Sequence, residues 1–181
     1  FGSIYHIRIV NISVGTTSRD HKEQIDLLEG VEKLWDLGFV VVAAAGNQGP
    51  GAGTVTAPGS SRKIITVGSS DMLNGRKAVS GRGPTFDCVC KPDLVAPGVN
   101  IKSCAPGGGF AVRSGTSMAT PFVTGAAALI MQWGIVENKD PYAYGEKLKA
   151  YLLRGAQEMP GEWMPSKRVG WGKLCVRESL R

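Results

Sequence analysis

Two strongly apolar runs lie on either side of a helical pattern within the first 45 residues. The runs cover residues 5–14 and 39–45 and are rich in Val and Ile. Such near-continuous apolar character is typical of strands that are buried on both faces of a parallel sheet. Residues 20–37 between them place apolar side chains at helical spacing, and Gly38 supplies a stop. This parallel β-α-β unit predicts an α/β fold, with a mostly parallel sheet flanked by helices in three layers.

Further elements follow along the chain. They are short strands at 64–67 and 99–104, a hairpin at 72–80, helices at 117–133 and 141–153, and a mostly irregular tail at 161–181 that ends in a short helix. The hairpin is predicted because Asn74-Gly75 favours a type I′ turn. The helix at 117–133 is apolar nearly all round, which predicts burial in the middle of the domain. Asp140 and Pro141 predict the start of the next helix.

The charge and hydropathy patterns argue against two classes of partner. The net charge is +6, but no run of Lys and Arg exceeds two residues, and aromatic residues do not interleave with them. A nucleic-acid interface would need a basic patch or stripe, so nucleic-acid binding is not expected. The strongly apolar stretches reach about ten residues, whereas a membrane helix needs about 20, so no membrane partner is expected.

Glycine and histidine are the compositional outliers. The 25 glycines are about 14% of the 181 residues, about twice the usual share, and they show no collagen period. The excess predicts many turns and close backbone approaches. Only two histidines occur, which leaves little room for a histidine-rich metal site, and no metal site is predicted.

The four cysteines are Cys88, Cys90, Cys104 and Cys175. Cys88 and Cys90 would face the same side of a strand about 6.6–7 Å apart, at or beyond the limit for a disulfide. The spacing of a zinc site is absent. Free, mostly buried thiols are the favoured interpretation, and one disulfide from Cys104 or Cys175 is the alternative.

A seven-residue string, Gly-Thr-Ser-Met-Ala-Thr-Pro, covers residues 115–121. Within it, Ser117 follows a Gly-Thr turn and opens the apolar helix, where free N–H groups and the helix dipole would stabilise a developing oxyanion. A Ser before a helix is by itself usually a cap. The full string, however, resembles the nucleophile motif of the subtilisin family of serine proteases. Seven specified residues match by chance in a chain of this length with a probability on the order of one in ten million.

A second segment, Ala-Ala-Gly-Asn at residues 44–47, resembles the end of the oxyanion-hole strand of that family. The resemblance implies that Asn47 directs an amide N–H toward the tetrahedral intermediate. The alternative is a turn residue, since Asn is common in turns.

A third segment, Asn-Ile-Ser-Val-Gly at residues 11–15, resembles the substrate-binding strand. The resemblance implies a primary specificity pocket between two walls, residues 13–15 and 44–46. Small residues in both walls would leave this pocket open to a large apolar side chain. A plain core strand is the alternative for the first wall. The implied substrate-binding residues are Ser13, Val14, Gly15, Ala44, Ala45, Gly46 and Thr116.

The resemblance covers about residues 7–175. It includes further strings that are structural turns and strands, at residues 56–59, 64–68, 80–84 and 91–98. The tail resembles subtilisin-type proteases of clostridial and other gut bacteria. Phe122 stands where many members have His, which we interpret as a change in packing. The elbow motif Gly-x-Ser-x-Gly is absent, which argues against a small-molecule hydrolase.

The catalytic Asp and His of the family have no counterpart in the sequence. A subtilisin-like mechanism needs Asp, His and Ser, in that chain order. His6 and His21 lack the His-Gly-Thr context, and no Asp-Ser-Gly or Asp-Thr-Gly motif occurs. We therefore expect residues 1–181 to be the C-terminal portion of a subtilisin-like peptidase domain, incomplete at its N-terminal side. The chain alone should be inactive, although its full domain would cleave polypeptides. A non-catalytic, peptide-binding pseudoprotease is the alternative.

Further expectations concern partners and location. The chain begins at Phe1 with no signal peptide, which suggests a processed or trimmed chain. A sheet without its first strands would expose an edge, so aggregation or pairing with a second copy is expected. No cofactor is evident, although the resemblance allows structural calcium. It also implies a bacterial protein that is secreted or extracytoplasmic, with the cytoplasm as an alternative.

Overall fold

Four parallel strands form the central sheet. The computed structural model describes residues 5–18, 20–73 and 79–181. In order across the sheet, the strands are β1 (Ile9–Ile12), β2 (Val40–Ala44), β3 (Ile65–Ser69) and β4 (Leu94–Ala96). Ile9 pairs with Val40 in register, and Val42 pairs with Ile65. The parallel β-α-β unit predicted from the first 45 residues is therefore present, and the α/β class is confirmed.

Helices flank this sheet. Helix α1 (His21–Asp36) connects β1 to β2, and helix α2 (Thr116–Met131) packs against all four strands. Helix α3 (Gly145–Arg154) contacts α2, and the short helix α4 (Val176–Ser179) contacts α3. One apolar core joins the strands to the inner faces of the three longer helices. The burial of these faces is the main source of stability.

The ends of α1 follow from local chemistry. The N-cap Asp20 accepts a hydrogen bond from the Lys22 N–H at 2.9 Å, which satisfies one free donor of the first turn. Gly38 follows the last turn with φ +92°, a conformation that glycine adopts without a steric penalty. The predicted boundaries of this helix are confirmed to within one residue at each end.

Helix α2 also matches the predicted position. It begins at Thr116, one residue before the predicted start, and Pro121 is tolerated near its N-terminus. A π-helical turn, Gln132–Val136, continues it. Together, Thr116–Val136 form a 21-residue helical stretch that is long and apolar enough to cross a membrane by those two criteria. Since its inner face packs on the sheet, we interpret it as a core helix of a globular domain.

Several predicted elements differ from the structure. Residues 5–14 contain only the four-residue strand β1. The helix predicted at 141–153 begins later, at Gly145, although the Asp140 carboxylate accepts from the Tyr142 N–H at 3.2 Å and also pairs with Lys147 in the first turn. Strand β4 was not predicted. The predicted hairpin at 72–80 includes residues 74–78, which lie outside the described part of the chain.

The predicted strand at 99–104 belongs to a separate hairpin. Strand β5 (Ile101–Cys104) pairs antiparallel with strand β6 (Phe110–Arg113), which the sequence did not predict. All four cysteines are free, as favoured, but the expectation that they are mostly buried is wrong. Cys88, Cys90 and Cys104 are exposed, and Cys175 is half-buried.

Two surfaces of the sheet and its core helix are uncovered. Strand β1 lies at one end of the sheet, so its outer edge pairs with no other strand in the described residues. The face of α2 away from the core is apolar and exposed, with Phe122 at 44% and Leu129 at 51% exposure. The prediction that α2 is buried all round is therefore wrong for this face. We call it the outer stripe, and it consists of Pro121, Phe122, Gly125, Ala128 and Leu129.

Candidate active site

The carboxyl ends of β1 and β2 meet the N-terminus of α2 at one edge of the sheet. Because neighbouring parallel strands end on the same side, the segments that follow them lie side by side. Residues 13–15 follow β1, and residues 45–47 follow β2. The first turn of α2 contacts both segments, through Ser117 and Thr116. The structure thus brings together Ser13, Asn47 and the seven-residue string, which are far apart in the sequence.

The hydroxyl of Ser117 lies in the first turn of α2 and is half-buried. Its Oγ donates a hydrogen bond to the carbonyl oxygen of Ser13 at 2.7 Å. Backbone N–H groups in the first turn of a helix have no acceptor within the helix, so they can bind an anion. In this turn the Thr116 N–H donates to Asn47 and the Met118 N–H to the carbonyl of Gly115, so the Ser117 N–H is the backbone donor that remains beside the Ser117 hydroxyl.

The side-chain amide of Asn47 is oriented by Thr116. Its Oδ1 accepts from the Thr116 N–H at 3.0 Å and from the Thr116 hydroxyl at 3.3 Å. Two donors at this oxygen fix which end of the amide faces α2. Among the described residues, no hydrogen-bond acceptor holds Nδ2, and Asn47 is exposed. The amide therefore presents a free N–H donor next to Ser117.

The two expected pocket walls follow β1 and β2, and the side chain of Thr56 lies against a glycine of each wall. An ideal Cβ atom on Gly15 would lie 2.6 Å from the Oγ1 of Thr56, and one on Gly46 would lie closer still. Both walls thus face the side chain of Thr56. The expectation of a pocket open to a large apolar side chain did not include this side chain, which lies between Gly15 and Gly46. The sequence analysis assigned residues 56–59 to a structural turn and missed the position of Thr56.

The remaining wall residues differ in exposure. Val14 is 71% exposed, whereas Ala44 and Ala45 are buried. The first wall is therefore exposed at Val14 and Gly15. The second wall contributes two small side chains to the core instead of to an open pocket.

A cavity of about 800 Å³ lies beyond Thr56. It is lined by the N-terminal half of α1, by residues 53–57 and by the turn at 85–87, and it does not include Ser117 or Asn47. The backbone bridge between the Thr16 N–H and the Ala57 carbonyl, 2.9 Å long, borders it. Thr56 lines this cavity and also faces the two glycines.

Neither histidine is hydrogen-bonded to Ser117. His21 lines the cavity at the start of α1, and His6 is exposed with φ +52°. Within the described ranges, no group of three or more His, Cys, Asp or Glu side chains is placed to hold a metal ion. The structural calcium that the resemblance allows therefore has no candidate cluster of carboxylates in this part of the chain.

The fold and the site define a class: an α/β protein with a serine hydroxyl and an amide donor at the ends of two parallel strands. Residues 5–172 match the Subtilase family, Peptidase S8, and the chain belongs to that family. It is 37% identical over 179 residues to the serine protease AprX of Bacillus subtilis (strain 168), and the match covers 86% of this chain and 39% of AprX. The chain thus spans about two fifths of that relative.

Solved structures give the same family relationship. The CspB protease of Clostridium perfringens is 42% identical with a TM-score of 0.66, over 73% of this chain and 29% of CspB. The prenylagaramide maturation protease PagA is 26% identical with a TM-score of 0.78, over 99% of this chain and 62% of PagA. The mixed α/β fold of these proteases is therefore the fold of this chain.

Proposed function

We propose that this chain is the nucleophile-bearing part of a serine endopeptidase, with Ser117 as the nucleophile. The observation that carries the proposal is the amide of Asn47, whose Oδ1 is held by Thr116 so that Nδ2 is free beside Ser117. A donor aimed at the position where negative charge develops stabilises the transition state of acyl transfer. The backbone N–H of Ser117 supplies a second donor.

The reaction follows from these groups. Ser117 Oγ attacks the carbonyl carbon of the scissile peptide, and the new Oγ–C bond turns the carbonyl oxygen into an oxyanion. A base takes the hydroxyl proton and delivers it to the leaving amine as the C–N bond breaks. Water then attacks the acyl-enzyme, its proton passes through the same base to Ser117 Oγ, and the carboxylic acid is released.

The base and its orienting acid come from outside these 181 residues in this proposal. Ser117 donates to the carbonyl of Ser13, which is not a base that takes up the proton, and a Ser hydroxyl without a base is a weak nucleophile. The open edge of β1 and the outer stripe of α2 support a complementing segment, since both are surfaces that a larger sheet would cover. We place the N-terminal part of the peptidase domain there.

The substrate is a polypeptide in extended form. Residues 13–15 follow the edge strand β1, Val14 and Gly15 among them are exposed, and a peptide can add to such a segment as a strand. In that pose the scissile carbonyl lies between Ser117 and Asn47. The similarity to bacterial proteases supports a bacterial, secreted or extracytoplasmic enzyme, with a cytoplasmic one as the alternative.

Labelling with a fluorophosphonate probe tests the proposal. The chain is prepared alone and together with the polypeptide that its gene encodes upstream of Phe1. We expect labelling at Ser117 only in the complemented protein, with none in Ser117→Ala and normal labelling in the exposed control Ser103→Ala. Absence of labelling in the complemented, folded protein contradicts the proposal.

A peptide-binding pseudoprotease is the second candidate. It is favoured by one observation, that the Ser117 hydroxyl donates to the carbonyl of Ser13 and not to a histidine. It predicts that the complemented protein binds extended peptides but is not labelled by the probe. Peptide titration beside the labelling assay therefore separates the two functions.

A further inference from the structure

Gly15 and Gly46 come from opposite walls of the site, yet both point at one side chain. A Cβ atom placed on Gly15 would lie 2.6 Å from Thr56 Oγ1, and a Cβ atom placed on Gly46 would meet the same oxygen. Any larger residue at either position would meet Thr56. The absence of a side chain at Gly15 and at Gly46 is therefore required by Thr56, and not only by an approaching substrate.

Thr56 is held in this place by its backbone. Its N–H donates to the carbonyl of Ala45 at 3.1 Å, and the next residue, Ala57, accepts from Thr16 at 2.9 Å. The first bond ties the segment to the second wall, and the other ties it to the chain that follows the first wall. A β-branched side chain also has few rotamers, so Thr56 has little freedom to move out of the space.

We infer that Thr56 limits the residue before the scissile bond to a small side chain, such as glycine, alanine or serine. The inference rests on the proposed function, since the substrate side chain enters between the same two walls. A large side chain would collide with Thr56 instead of filling a slot. Collision with a fixed group is an effective way of rejecting the larger of two substrates.

The cavity of about 800 Å³ behind Thr56 gives the inference a second consequence. Thr56 lines the cavity on one side and faces both glycines on the other, so it acts as a partition. Its removal joins the space between the walls to the cavity. A substitution to glycine should therefore admit large apolar side chains, for which Ile25 and Leu28 offer contact surface in the cavity lining.

Peptide binding to the Ser117→Ala protein tests the inference without any chemistry at the nucleophile. The probes are two tetrapeptide acids, Ala-Ala-Pro-Ala and Ala-Ala-Pro-Phe, and their dissociation constants are measured by NMR titration. In the Ser117→Ala background we expect tighter binding of the alanine peptide. Thr56→Gly should shift the ratio toward the phenylalanine peptide by at least about tenfold, and the conservative control Thr56→Ser by less than about twofold.

Three results would overturn the inference. They are equal or tighter binding of the phenylalanine peptide before any change at Thr56, an unchanged ratio in a folded Thr56→Gly or Thr56→Ala protein, and binding of neither peptide to any variant. Thr56→Ala serves if Thr56→Gly does not fold, because it removes the same oxygen. Failure of the proposed function appears separately, as missing fluorophosphonate labelling in protein that retains Ser117.

Discussion

Ser117 donates its hydroxyl hydrogen bond to the carbonyl oxygen of Ser13 at 2.7 Å. This carbonyl belongs to the segment along which an extended peptide would pair, so the nucleophile and a substrate backbone share one acceptor. The acceptor of the Ser117 proton is thus a backbone carbonyl and not a basic side chain. The proposed nucleophile is therefore tied to the segment that follows β1.

Removal of the Asn47 amide should impair catalysis more than substrate binding. In the complemented enzyme, we expect Asn47→Leu to lower kcat by about 10²–10³-fold with a small change in KM, since the lost donor acts on the transition state. Steady-state kinetics on a peptide substrate measures both constants. The loss of Thr116's acceptor is a side effect of this substitution.

Thr116→Val controls for that side effect, because it removes the hydroxyl bond to Asn47 and leaves Nδ2 in place. A much smaller loss of kcat is expected. Equal losses in the two variants would mean that Asn47 acts through the position of α2 and not as an oxyanion donor.

The parts of the site that the sequence could predict are those carried by contiguous strings. Ser117 and Asn47 each stand in a motif, and the β-α-β pattern places the ends of β1 and β2 at one edge. The side chain of Thr56 could not be placed in this way, because its position between Gly15 and Gly46 depends on contacts between three separate segments.

The same reason explains the errors in the fold. Strand β6 has only four residues and takes its partner from β5, so no periodicity marks it. Asp140 carries the sequence signature of a helix cap and accepts from the Tyr142 N–H, but it also binds Lys147 and Tyr151 of a helix that begins only at Gly145. The outer stripe of α2 is as apolar as the inner face, so composition alone cannot tell which face is covered.

Burial of Lys91 should make the stability of the chain rise in alkaline solution. Its ammonium group is buried beside Asp93, the Ile64 carbonyl and Lys149, and burial lowers the pKa of Lys91 from 10.5 to about 8. Between these two values the unfolded chain holds the Lys91 proton more tightly than the folded chain. The free energy of unfolding should therefore rise from pH 8 to pH 10.5, by a contribution on the order of 3 kcal/mol.

Urea denaturation at pH 7, 8, 9 and 10 measures this dependence. Lys91→Met should remove the rise, and Asp93 would keep Lys149 as a partner at 3.4 Å. The exposed Lys139→Met is the control and should retain the slope. An identical pH profile in Lys91→Met and the unsubstituted chain would rule out Lys91 as the source.

Exposed thiols should react in the folded chain. We expect iodoacetamide at neutral pH to modify Cys88 and Cys104 first, and Cys175 more slowly because it is half-buried. Cys90 should lag behind Cys88 and Cys104, since burial and then the charge of Asp93 raise its pKa and reduce the thiolate fraction. Peptide mass spectrometry at timed intervals resolves the order. Rapid modification of Cys175 before Cys104 would contradict it.

The outer stripe should cause self-association of the isolated chain. Phe122 and Leu129 are seven residues apart and share one helix face, where both are exposed. An uncovered apolar stripe beside an open strand edge favours association. We expect Phe122→Asp with Leu129→Lys to lower the weight-average mass in sedimentation experiments, whereas Tyr142→Ser, at an exposed site on another segment, should leave it unchanged.

The same pair of substitutions should also lower the activity of the complemented protein, although it reduces the self-association of the isolated chain. If the outer stripe is where the complementing segment packs, charges on it weaken that contact, and fluorophosphonate labelling of Ser117 should fall although the isolated chain is more soluble. Tyr142→Ser should label normally. Full labelling of the Phe122→Asp, Leu129→Lys protein when the complementing segment is limiting would show that the segment binds elsewhere. In the sedimentation experiment, a monomeric unsubstituted chain would show that the outer stripe does not drive self-association.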